Sequence, residues 1–101
     1  MPKNDFFFVL EICVDIKLTT GFFNPEEVSW TLGSCHTNRV YYSGQQYTEQ
    51  CCQYSGQYTL TCKDSYGDGW DGGSIEILGK KYCEDFQSGY EATTLVTFSG
   101  I

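Results

Sequence analysis

The chain has 101 residues, six cysteines, and thirteen acidic against six basic side chains, giving a net charge of −7. That length suits one domain with a single core that benefits from staples. With a pI near 4.4 and no basic cluster it lacks the electrostatic footprint for nucleic acid, and attraction to an anionic membrane surface is disfavoured.

Alanine is scarce and no segment sustains an apolar 3.6-residue period, so helix is not expected. The first predicted element is a long strand in which Phe6, Phe8, Leu10, Ile12, Val14, Ile16 and Leu18 share one face. Its opposite face carries Phe7 and Val9, then Glu11, Asp15 and Lys17. The outer half, Phe6-Phe7-Phe8-Val9-Leu10, is thus apolar on both faces, and no run of about eighteen apolar residues offers a helical membrane span. The run meets Glu11 too early for a signal-peptide core. The cysteines nevertheless argue for export, through a trimmed precursor or a signal outside this sequence.

Val28 to Leu32 alternates next, with Trp30 and Leu32 inward. Arg39 to Tyr42 is expected to pair with Gln45 to Thr48 across a Ser43-Gly44 turn. Strands at Tyr58–Lys63 and Ser74–Leu78 follow, then a turn at Gly79-Lys80 toward Tyr82-Cys83, and a last strand from Ala92 to Phe98. These seven or eight short strands predict an all-β fold, an antiparallel two-layer β-sandwich of jelly-roll type stapled by disulfides. Residues 12–101 form the sandwich module, and residues 1–11 an apolar strand extension.

Between two of these strands lies Asp64-Ser65-Tyr66-Gly67-Asp68-Gly69-Trp70-Asp71-Gly72-Gly73. Glycine permits the positive-φ turns that let Asp64, Asp68 and Asp71 converge, and converging carboxylates repel unless a cation sits among them. A hard, oxygen-seeking ion such as Ca²⁺ suits that set, with the Tyr66 carbonyl as a further ligand. An ordinary tight turn needing no metal is the alternative. The loop does not follow EF-hand spacing.

Six cysteines, Cys13, Cys35, Cys51, Cys52, Cys62 and Cys83, predict three disulfides in an oxidising, extracellular-type compartment. Adjacent Cys51 and Cys52 should reach different strands, and a bridge between Cys62 and Cys83, which bracket the acidic loop and its following strand, would hold that hairpin shut. A zinc site from Cys35, His36, Cys51 and Cys52 has poor ligand spacing.

Two stretches resemble a family of secreted β-sandwich modules found in algae, other protists and some bacteria. Glu27-Val28-Ser29-Trp30-Thr31-Leu32 is similar to that family's Glu-x-Ser/Thr-Trp-x-Leu strand. Tyr58 to Ser74 resembles its signature Tyr-x-Leu-x-x-x-Asp-Ser-Tyr-Gly-Asp-Gly-Trp-Asn/Asp-Gly. The likeness covers residues 12 to 99 and implies a calcium-holding loop, with Glu27 approaching the site from the neighbouring strand. It implies a structural or binding module and no particular reaction. Many relatives carry a Cys-Cys pair inside the signature loop, whereas here Cys51-Cys52 precedes the strand, so disulfide connectivity does not carry over.

No catalytic constellation stands out. His36 is the sole histidine, and Glu26-Glu27 and Glu84-Asp85 are neighbours in sequence that read as solvated turns. Two non-enzymatic functions remain. The first is a building block that self-assembles into a homopolymer by inserting the Phe6, Phe7, Phe8, Val9 and Leu10 strand into a neighbour's sheet. The second is a calcium-dependent carbohydrate-binding module using Trp70, Tyr41 or Tyr42, with Tyr47 and Tyr54 nearby. The preferred reading of Trp70 is that its ring closes the loop over the core, and the abundant threonine and serine also admit O-linked glycans.

Overall fold

Side chains alternate across a strand, so a two-layer sheet protein buries every second residue and sends the rest to solvent. The computed structural model describes residues 11–21, 27–70 and 72–99. They contain eight strands: β1 (Glu11–Thr19), β2 (Val28–Leu32), β3 (Cys35–His36), β4 (Gln46–Tyr54), β5 (Gly56–Asp64), β6 (Ser74–Ile77), β7 (Lys80–Tyr82) and β8 (Glu91–Phe98). They form two antiparallel four-stranded sheets, ordered β4-β1-β6-β7 and β3-β2-β5-β8. The all-β, two-sheet, disulfide-stapled architecture is the one expected.

Ile16, Leu18, Ile75 and Ile77 of the first sheet are buried, as are Trp30, Leu32, Leu60, Val96 and Phe98 of the second. Val14, Ile16 and Leu18 point inward as predicted, while Glu11, Asp15 and Lys17 face out. The Phe6–Leu10 half of the predicted first strand lies outside the described residues.

The three disulfides follow from the same alternation. Cys52 faces outward and joins Cys13, its direct partner across the β1–β4 ladder. Cys51 faces inward, is fully buried, and crosses the sandwich to Cys35 on β3. Cys62 on β5 joins Cys83 just beyond β7, the pairing the sequence suggested. That bridge does not close a hairpin, however: β5 and β6 lie in opposite sheets, so it too ties one sheet to the other.

One predicted strand pair does not form. Arg39 to Tyr42 is irregular, and β4 pairs with β1 instead. Side chains take over the backbone bonds that a ladder would have satisfied. The Tyr42 N–H donates to the Tyr47 hydroxyl at 2.8 Å, and Thr20 Oγ1 donates to the Tyr42 carbonyl at 2.8 Å. Tyr41 turns into the core, where its hydroxyl accepts from Trp30 Nε1 at 3.0 Å and donates to Glu49 Oε2 at 2.8 Å. The predicted turn near Gly79-Lys80 sits one residue earlier, at Leu78-Gly79, both with positive φ as a tight two-residue hairpin demands.

Two outcomes check this frame. Replacing Cys35 and Cys51 together by alanine should cost about 3 kcal/mol in urea unfolding, the loop-closure value for a separation of this size. Burial, helped by the Glu49 carboxylate, pushes the Tyr41 hydroxyl up to about 12. The unfolded chain then ionises first, so stability holds below pH 10 and falls as pH rises toward 12. Tyr41→Phe should flatten that alkaline decline relative to the unmodified protein.

Candidate metal centre

The acidic loop carries the chain from the end of β5 in one sheet to the start of β6 in the other. Trp70 anchors it. Its ring is 2% exposed, packs beside Phe86 with centroids 6.3 Å apart, and donates from Nε1 to the Lys63 carbonyl at 2.8 Å. The Trp70 N–H also donates to the Phe86 carbonyl at 2.8 Å. Gly69, at φ +78°, lies so close to this strap that a Cβ there would fall 2.5 Å from the Phe86 oxygen. Glycine is therefore required at that position on two counts, backbone conformation and space.

The carboxylates converge by register. Asp64 ends β5 directly opposite Val28, so Glu27 stands beside it at the entry to β2. The Ser65 N–H donates to the Glu27 carbonyl at 3.1 Å and fixes that neighbourhood. The loop then doubles back, and the Asp68 N–H donates to Asp64 Oδ2 at 2.6 Å. Carboxylate oxygens of Glu27, Asp64 and Asp68 all lie within 4.8 Å of one another. Oxygens that share one calcium ion at about 2.4 Å each are at most about 4.8 Å apart.

Asp64 is the unusual member. It is 2% exposed, and its Oδ1 is buried without a hydrogen bond among the described residues. Burial works against its charge, yet hydrogen bonding shared with the Asp68 and Glu27 carboxyl groups and donated by the Asp68 and Tyr66 backbone outweighs burial. That bonding holds its carboxyl below the usual carboxylate range. A buried carboxylate with an oxygen within 4.8 Å of two others is a ligand set that fits a hard divalent cation.

Of the predicted ligands, the fold brings together Glu27, Asp64 and Asp68. Asp71 lies outside the described residues. Tyr66 turns its backbone N–H toward the Asp64 carboxylate and its ring to solvent. Two of the predicted carbohydrate-contacting aromatics are corrected by burial: Trp70 closes the loop and Tyr41 sits in the core, while Tyr42 is exposed, as is Tyr54. His36 is exposed, with Nδ1 2.8 Å from the Thr37 carbonyl.

Sequence reading missed Tyr90, whose ring overlies Gly67 of the loop, and Gln53, a buried amide. Gln53 Oε1 accepts from the Ser34 N–H at 2.8 Å, and Nε2 donates to the Leu32 carbonyl at 3.0 Å. The glutamine thereby satisfies the turn between β2 and β3. Neither carries a local signal, because both act on residues distant in sequence. No protein-family model, curated protein or solved structure matches the chain.

Proposed function

We propose that the protein is a non-enzymatic extracellular structural module, completed by calcium and disulfides, that assembles into a filament or matrix through its N-terminal strand. The observation that carries this reading is how the β1 ladder ends. On the β6 side, pairing stops at Ile16. On the β4 side it reaches Glu11 opposite Tyr54, where β4 ends and the chain passes through Ser55 into the other sheet. Among the described residues, the neighbours of this central strand reach no further than Glu11, and Phe6-Phe7-Phe8-Val9-Leu10 precede it in sequence.

Those five residues offer water no polar face, and a neighbouring sheet edge would cover both faces and supply backbone partners. Among the described strands, β4 and β8 are long sheet edges paired along one flank. A contact between unlike surfaces does not close on itself and propagates as a filament. Three disulfides fit an oxidising, extracellular-type setting, and among the described residues no helix is long and apolar enough to cross a membrane. The resemblance of the Tyr58–Ser74 stretch to secreted modules points the same way. A carbohydrate-binding role is the second reading, favoured by an exposed aromatic beside the acidic loop.

Light scattering and negative-stain imaging test the assembly. The full chain in calcium should form filaments, and a version lacking residues 2–10 should remain a folded monomer. A monodisperse full-length monomer would overturn the proposal. The metal is tested separately by melting. Calcium at a hundredfold excess over its Kd should add about 2.7 kcal/mol of stability, reversed by EDTA. Asp68→Ala should abolish that response, and identical melts for both proteins with and without EDTA would remove calcium from the model of the fold.

A further inference from the structure

We infer that a shallow cleft beside the acidic loop, walled by the ring of Tyr90, binds a pyranose unit of a glycan. The cleft measures about 280 Å³ and is lined by Ser29, Lys63, Asp64, Ser65, Tyr90 and Glu91. Single exposed aromatics are common and by themselves mean nothing. Tyr90 differs in being held. It is 65% exposed, yet its carbonyl accepts from the Asp64 N–H at 2.9 Å, and the preceding Gly89 N–H donates to the Gly67 carbonyl at 2.9 Å. Its ring lies against Gly67 so closely that a Cβ there would sit 2.7 Å from Tyr90 Cζ. The backbone of Tyr90 is therefore tied to the loop, and its ring packs on Gly67 while most of the side chain stays open to solvent.

The rest of the lining comes from register. Ser29 lies opposite Lys63, and Lys63 opposite Glu91, so a hydroxyl, an ammonium and a carboxylate stand in one row across β2, β5 and β8. Ser65 adds a second hydroxyl at one end. An anion would meet Glu91, and a cation would meet Lys63. A neutral polyol with one C–H face and hydroxyls around its rim matches both the ring and the mixed donors and acceptors. A single sugar of this size, stacked on one ring in an open cleft, should bind with a dissociation constant on the order of millimolar.

The site does not depend on strand-mediated assembly, and its test reads the two apart. The oxidised full chain, labelled with ¹⁵N, is titrated with the methyl glycosides of glucose, galactose, mannose, xylose and N-acetylglucosamine, in calcium and again in EDTA. At least one glycoside should shift the amides of residues 63–65 and 89–91 saturably in either buffer. Tyr90→Ala should weaken that binding roughly tenfold. Tyr90→Phe, which keeps the ring on Gly67, should preserve it, and Tyr42→Ala should leave it unchanged. Should Tyr90→Ala disturb the fold, Lys63→Ala removes a polar wall at an exposed position and should itself lower affinity. Absence of saturable shifts with every glycoside, or binding that follows Tyr42 instead of Tyr90, would overturn the inference.

Discussion

Neighbouring residues of a strand point to opposite faces, so Cys51 and Cys52 cannot serve the same layer, and the whole molecule is organised by that division. Cys51 reaches through the core to β3 in the other sheet, while Cys52 clasps β1 within its own. The Cys62–Cys83 bridge ties the sheets a second time, between β5 and the end of β7. With the two layers so fixed, β5 and β6 cannot be a hairpin, and the chain between them must cross the sandwich. The acidic loop is that crossing. Its position, its anchoring by Trp70 and its need for glycine where the Phe86 strap passes all follow from having to change sheets in nine residues.

The crossing also explains why a carboxylate is buried. Asp64 ends β5 on the inward phase of the alternation, where Leu60 and Cys62 before it are fully buried. An inward residue at that place would ordinarily be apolar. An aspartate instead accepts from the returning loop and faces Glu27 and Asp68. Three carboxylates this close are stable only with shared protons, several donors or a cation between them. The backbone donors from Asp68 and Tyr66 supply part of the answer, and the unbonded Asp64 Oδ1 marks where a further positive partner fits.

Much of this was legible where the information is local. Period-two alternation identified the buried faces of β1 and β2, and the spacing of glycine and aspartate picked out the loop. What failed did so for non-local reasons. Tyr41 and Tyr42 sit in a strand-like sequence, but hydroxyls of Thr20 and Tyr47, contributed from other segments, capture the Tyr42 backbone and leave the stretch irregular. Tyr90 was invisible because its meaning depends on a contact with Gly67, more than twenty residues away. Glu27 came from resemblance, and its physical reason, the pairing of Val28 with Asp64, is a fact of register that no local pattern encodes.

The sheet edges bear on assembly in the same non-local way. Among the described strands, each sheet has one long and one short edge: β4 against β7 in the first, β8 against β3 in the second. The short edges are guarded, β3 by being only two residues long and β7 by Lys80 and Lys81 in a strand of three. The long ones are not. Neither Gln46–Tyr54 nor Glu91–Phe98 contains a lysine or a proline, and β8 exposes Leu95. A small disulfide-stapled domain whose described strands leave two sheet edges unguarded, and whose sequence carries an apolar segment, is compatible with the strand addition proposed above. Had all four edges been guarded alike, the phenylalanine-rich segment would have no complementary surface on a second copy. The asymmetry is what the proposed donor strand would require of a second copy.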